Sequence, residues 1–195
     1  MAAAFLREIA SRPVAGPGNV TVGRALGLIL CLGLTACGGG PPVRSGGTVA
    51  AIECAPFARA LTGVSLSGAA ADWWQEANGR YVRSHRPAVG SLLVLRRSSQ
   101  LPSGHVAVVS RVISGREILV TQANWVHHHV SQDQPVVDVS PSGDWTRVRV
   151  WWPPTGQMGT RDYAAFGFIQ PRGAFNHDEL IASTPSAIRI AETGR

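Results

Sequence analysis

Lysine is absent from this chain of 195 residues, so its eighteen basic residues are all arginine, and with twelve acidic residues they give a formal net charge of +6. The arginines are scattered and no run of five like charges occurs, which predicts a solvated surface and no nucleic-acid partner. Attraction to an acidic polymer is the weaker alternative. Internal repeats and a glycine-rich phosphate loop are also lacking. With 45% hydrophobic and 15% charged residues, the composition excludes a disordered chain and suits one packed domain.

Long hydrophobic runs are missing as well, since none reaches the roughly 18 apolar residues of a membrane-spanning helix. A shorter apolar block begins at Ala25, directly after Arg24, and a basic region followed by such a block is typical of an export signal. The block ends in "LTAC", which resembles the bacterial lipoprotein box. The resemblance implies that residues 1–36 are a signal peptide and that Cys37 is acylated. The alternatives are an ordinary signal peptide cut nearby and a buried helix.

The lipoprotein resemblance also implies an address and an anchor. Cys37 is followed by glycine rather than aspartate, which implies a periplasmic protein held to the outer membrane by its lipid. Residues 37–50 are rich in glycine and proline and are predicted to form a flexible tether. The folded domain is expected over residues 51–171, followed by a polar, loosely ordered tail over residues 172–195. We expect a monomer.

Cysteine is scarce, with three residues in the whole chain. Cys31 would leave with the signal peptide and Cys37 would carry lipid, so Cys54 would be the single thiol of the mature protein. An unpaired cysteine in an oxidising compartment indicates a reactive thiol. The alternative is a disulfide between Cys37 and Cys54, which requires that Cys37 is not acylated.

The apolar pattern changes from helical to extended along the predicted domain. "AIECAPFARAL" predicts a helix that ends at Gly63, and "GAAADWWQEANG" predicts a second helix that ends at Gly79. A hairpin is predicted from His105, with its turn at Ser114-Gly115, followed by a polar loop. Further strands are predicted in "GSLLVLRR", "DWTRVRVWW" and "YAAFGFIQP". Helices followed by antiparallel strands indicate an α+β fold.

Cys54 begins the first predicted helix, where unpaired backbone N–H groups lower the pKa of a thiol, although Glu53 beside it would raise that pKa. His105 opens a strand directly after "PSG" and is the candidate base. With a turn at Ser114-Gly115, Asn124 faces His105 and would orient its ring. Gln122 lies on the same strand face and is a second candidate for that role.

The motifs "ECAPFAR", "GHVAVV" and "ILVTQANW", in this order, resemble the cysteine- and histidine-dependent amidohydrolase/peptidase (CHAP) domain from about Ala51 to Pro171. The resemblance implies a small papain-like fold with its N-terminal helices packed on an antiparallel sheet. It also implies a Cys54–His105 pair with Asn124 as third residue, and cleavage of peptidoglycan amide bonds without a cofactor. Many family members carry a carboxylate where this chain has Gln122, so an orienting or oxyanion role of Gln122 is the alternative to orientation of His105 by Asn124.

The same sequence allows two other functions and raises the question of a metal site. A non-catalytic lipoprotein that binds the wall, and an amidase of a small soluble peptide conjugate, are the alternatives to a wall hydrolase. The run His127-His128-His129 suggests zinc, but adjacent residues on a strand cannot all face one ion. No metal site is therefore predicted.

Overall fold

The computed structural model describes residues 52–193. The predicted signal peptide (residues 1–36), the lipidation site Cys37 and the tether (residues 37–50) lie outside the described residues. Within residues 52–193, no helix is both long enough and apolar enough to cross a membrane.

The described part of the chain is an α+β fold, as predicted. Its helices are α1 (Cys54–Thr62), α2 (Trp73–Glu76) and α3 (His177–Thr193), with 3-10 turns at Ala70–Asp72 and Pro153–Thr155. Its strands are β1 (Val82–Ser84), β2 (Leu92–Leu95), β3 (His105–Ser114), β4 (Glu117–Ala123), β5 (Val130–Asp138), β6 (Arg147–Trp152), β7 (Gln157–Met158) and β8 (Tyr163–Gln170).

The strands form an antiparallel sheet that closes on itself. Their order is β1-β8-β2-β3-β4-β5-β6-β7, and β8 pairs additionally with β6. Strands β2 to β6 and β8 therefore surround a barrel-like interior. Gly167 lets β8 lie between its neighbours, because a Cβ there would stand 2.6 Å from the carbonyl oxygen of Ser84.

Two apolar layers form on the two faces of this sheet. On β2, Leu92 and Val94 pack with the helices, whereas Leu93 and Leu95 point into the barrel-like interior. All four side chains are buried, which explains why the sequence of β2 is continuously apolar rather than alternating. The helical layer holds the first candidate residue, Cys54, against the sheet.

Helix α1 forms where its sequence pattern predicts it. Pro56 lies in the first turn, where its missing N–H costs no hydrogen bond, and Gly63 ends the helix in the left-handed conformation. The Gly63 N–H donates to the carbonyl of Arg59 at 2.8 Å. Phe57 and Leu61 are buried on the side that faces the sheet. This packing fixes the start of α1 beside the start of β3.

Two predicted elements differ from the structure. The second helix is reduced to a 3-10 turn and the four residues of α2, with Trp73 fully buried as its anchor. The predicted polar loop after β4 is β5, whose residues are mostly half-buried and include Pro135. The sequence does not predict this strand, because polar side chains occupy most of its positions. Its extended conformation depends on pairing with β4 and β6.

The prediction of a loosely ordered tail over residues 172–195 is wrong for most of that segment, because α3 is a helix of 17 residues. Its buried residues are Leu180, Thr184, Ala187 and Ala191, which share one helix face. That face packs against α1. The stripe is hard to recognise in the sequence because three of its four members are alanine or threonine.

Candidate active site

Cys54 is the first residue of α1 and is partly buried. The backbone N–H groups of Val106, the second residue of β3, of Ala55 and of Cys54 itself act on the thiol and favour its thiolate form. The thiol therefore lies where the beginning of α1 meets the beginning of β3. This is the placement that brings Cys54 and His105 to one end of the sheet.

His105 opens β3 and is only 4% exposed. Gly104 before it has a φ of +71°, and a Cβ at that position would come within 2.7 Å of the carbonyl oxygen of Leu95 and within 2.6 Å of the Cβ of Ala71. Glycine is therefore required for the chain to enter β3 at this point. The imidazole packs edge-on against Trp125, with ring centroids 5.1 Å apart.

Gln122 on β4 is the hydrogen-bond partner of the imidazole. Its side chain is 1% exposed, and its Oε1 lies 2.9 Å from Nε2 of His105. When His105 donates through Nε2–H, its Nδ1 carries the lone pair that a general base needs. The Nε2 of Gln122 is buried and has no hydrogen-bond partner within the described residues. Of the two polar atoms of the Gln122 amide, only Oε1 therefore has a hydrogen-bond partner among the described residues, and that partner is His105.

Contrary to the prediction, Asn124 does not contact His105 in the structure. The predicted register holds where Val108 pairs with Thr121, but β4 ends at Ala123 and Asn124 turns away with a φ of +61°. Its Nδ2 donates to Oε2 of Glu53 at 3.0 Å, and its Oδ1 accepts from the N–H of His128 at 3.0 Å. The alternation of side chains along β4 predicts contact with His105 equally for Gln122 and for Asn124. Only Gln122 makes the contact, because the strand ends before Asn124.

The sequence predicts for Glu53 only an effect on the pKa of the thiol, whereas the structure gives its side chain a defined position. It occupies the N-cap of α1, but its side chain makes no capping hydrogen bond. The carboxylate is exposed and is held by Asn124 instead. A carboxylate therefore stands beside the sulfur of Cys54.

The electrostatics of the pair favour its neutral forms. Burial raises the pKa of the Cys54 thiol and the Glu53 carboxylate raises it further, whereas the N–H of Val106 and those of the helix start oppose them without cancelling the effect. Of the two opposing effects expected from the sequence, the helix start does lower the thiol pKa, but burial and Glu53 outweigh it. Burial lowers the pKa of His105 from 6.5 to about 4, against the opposing hydrogen bond to Gln122. At neutral pH the resting site holds a thiol and a neutral imidazole.

The rim of the site is the loop over residues 124–129. Trp125 donates from Nε1 to the carbonyl of Trp151 at 3.2 Å and contacts Tyr163 edge-on. His127 and His128 stack with ring centroids 3.7 Å apart. Across residues 52–193, no three His, Cys, Asp or Glu side chains are grouped so that they would hold a metal ion.

A cysteine at a helix start and a buried histidine whose ring lies against an amide oxygen are groups that a Cys–His hydrolytic site would use. Residues 44–124 match the family model described as the CHAP domain, and the match includes Cys54, His105, Gln122 and Asn124. It spans less than half of the chain and ends before β5. A search of curated proteins found no match. The family match supports a CHAP domain over these residues and hydrolytic chemistry in general.

Proposed function

We propose that this protein is a cysteine hydrolase that cleaves amide bonds of peptidoglycan, as an amidase or an endopeptidase. The observation that carries the proposal is the hydrogen bond of 2.9 Å between His105 and Gln122, since it leaves Nδ1 to serve the thiol. The effect of the Val106 N–H on the pKa of the Cys54 thiol supports it, because Val106 directly follows the base. The CHAP match over residues 44–124 supports the substrate class.

In the first step, Nδ1 of His105 accepts the proton of the Cys54 thiol while the sulfur attacks the amide carbonyl. The tetrahedral intermediate carries an oxyanion that the backbone N–H of Cys54 stabilises. The imidazolium then protonates the leaving amine, and a thioester on Cys54 remains. Water, deprotonated by the same imidazole, attacks the thioester; the C–S bond breaks, the acid is released, and the imidazolium returns its proton to the sulfur of Cys54.

The low pKa of His105, about 4, has opposite effects on these steps. Formation of the imidazolium in a buried site is costly, which slows attack by the thiol. Once it is formed, however, the imidazolium is a strong acid for the leaving amine. Gln122 accepts from Nε2–H in both protonation states and keeps Nδ1 directed to the reacting atoms.

Asn124, the third residue of the Cys–His–Asn site in the sequence interpretation, has a positioning role in this proposal. It fixes Glu53 and the loop over residues 124–129 through its two amide atoms. Gln122 takes the orienting role.

The proposal extends to the location of the protein. Residues 1–36 act as a lipoprotein signal, Cys37 is acylated, and the domain works as a monomer in the periplasm, held at the outer membrane; the sequence pattern alone supports these statements. Metabolic labelling with a fatty-acid analogue tests them. The wild type should take up label and Cys37→Ser should not. An unlabelled wild type contradicts the anchor and leaves the hydrolytic proposal intact.

Digestion of purified sacculi tests the activity. The full-length protein should release soluble fragments, whereas Cys54→Ala should release none while its circular dichroism spectrum is unchanged. New amine groups without new reducing ends identify amide cleavage. If the wild type and Cys54→Ala bind sacculi with equal affinity and neither releases fragments, the protein is instead the non-catalytic wall-binding lipoprotein.

A further inference from the structure

Glu53 is aimed by its neighbours rather than left free at the surface. Its backbone is extended at the N-cap of α1, and the side chain does not cap the helix. Asn124 instead donates to Oε2 at 3.0 Å, and the N–H of His128 fixes the other atom of the Asn124 amide. Asn124 and His128 hold left-handed conformations, with φ of +61° and +60°. Backbone conformations of this kind have an energetic cost and collect at functional sites.

Within residues 52–193, the Glu53 carboxylate has no cationic partner. None of the ion pairs within residues 52–193 includes Glu53. Its Oε1 accepts no hydrogen bond from the described residues, and the side chain is exposed. Among the residues that the structure describes, an anion next to the nucleophile without a cationic partner stands out, because the net charge of the chain is +6.

The position of this anion is unfavourable for the nucleophile. The Glu53 charge contributes to raising the pKa of Cys54, so the thiolate is harder to form. A neutral residue at position 53 would serve the sulfur better, and a glutamine would keep the hydrogen bond from Asn124. The charge therefore does not assist the activation of the thiol.

We propose that Glu53 recognises a primary ammonium group of the substrate close to the scissile amide. This inference rests on the proposed function and narrows its substrate class to peptides that carry a free amine, on a diamino-acid side chain or at a chain terminus. Oε1 accepts from the ammonium while Oε2 stays bound to Asn124. An ammonium matches the site because it is a compact donor that one fixed carboxylate binds well.

The experiment compares three synthetic peptides with the same scissile amide. One has a free side-chain amine, one has that amine acetylated, and one has its terminal amine acetylated. Acetylation of the recognised amine should raise the KM of the wild type about tenfold, the effect of one charge-assisted hydrogen bond. Whichever acetylation does so identifies the source of the ammonium. Equal KM for all three peptides overturns the inference.

Glu53→Gln is the matched variant, since it removes the charge and retains an acceptor for Asn124. It should show the raised KM with the free amine and no further change on acetylation. Glu117→Gln, the same substitution at the opposite end of the β3–β4 hairpin, should behave as the wild type. A loss in kcat for Glu53→Gln that is equal on all peptides assigns Glu53 to catalysis and contradicts recognition.

A binding measurement separates failure of this inference from failure of the proposed function. Calorimetric titration of Cys54→Ala with the free-amine peptide should give about tenfold tighter binding than with the acetylated one, and Glu53→Gln in that background should abolish the difference. Preserved discrimination without cleavage by the wild type would refute the hydrolase and retain the ammonium site. Cleavage without discrimination would refute only the ammonium site.

Discussion

The substitution Gln122→Glu tests the geometry of the base most sharply. It replaces a buried amide by a carboxylate of nearly the same shape, 2.9 Å from Nε2 of His105. The retained oxygen keeps the hydrogen bond, and the second oxygen replaces the Nε2 donor that has no partner. A carboxylate accepts only, so it also enforces the tautomer in which Nδ1 is the free base.

The expected magnitude follows from the pKa of His105, which is about 4 in the wild type. A carboxylate at this distance raises the pKa of an imidazole by about 1 to 3, so His105 should titrate at about 5 to 7 in the variant. Each unit stabilises the imidazolium by about 1.4 kcal/mol. Burial of the new carboxylate favours the lower end of this range. At pH 8 the first step should then be faster, by about tenfold.

The pH profile of kcat/KM is the assay. The base must be neutral to accept the thiol proton, so the wild type should keep its activity until the pH falls towards 4. In Gln122→Glu the loss should begin at about pH 5 to 7, because the imidazole is protonated there. Gln122→Leu is the control that removes the hydrogen bond and should be slow at every pH. An acid limb in Gln122→Glu that coincides with the wild type would refute the contact between the two side chains.

Three further outcomes are expected. The pKa of His105 is lowered from 6.5 to about 4, so the unfolded chain binds the proton first as the pH falls, and the free energy of unfolding should decrease by about 3 kcal/mol between pH 7 and 4. Urea unfolding measures this decrease, which should be smaller in His105→Gln; an equal decrease would contradict the assignment to His105. Gly104→Ala should cost more than about 2 kcal/mol in unfolding free energy, whereas Gly115→Ala, with open space around its Cβ, should cost little. Asn124→Ala should reduce kcat less than Gln122→Leu; the reverse order would return the orienting role to Asn124.

The sequence identifies the elements whose signals are local. A proline in the first turn and a left-handed glycine at the end define α1, and β-branched residues around a short turn define the β3–β4 hairpin. Cys54 and His105 begin two of these elements, which is why sequence alone selects them as candidates. The same local signals predict the α+β class.

The remaining features depend on contacts distant in sequence. Strand β5 is mostly polar and is extended because β4 and β6 pair with it. Helix α3 buries alanine and threonine, whose small side chains give a weak apolar pattern until α1 is present. Gln122 rather than Asn124 contacts His105 because β4 ends at Ala123, and no residue near that position predicts the end of the strand.

The most direct test of the account is to trap the thioester on Cys54. The protein is mixed with soluble wall fragments, quenched with acid within milliseconds to seconds, digested with a protease, and examined by mass spectrometry. The peptide that contains Cys54 should gain the mass of the acyl half of the substrate and lose it again with hydroxylamine. That mass also distinguishes an amidase, which transfers a sugar-linked acyl group, from an endopeptidase, which transfers a peptide. Release of wall fragments while Cys54 stays unmodified, or by a protein carrying Cys54→Ala, would contradict the proposed mechanism.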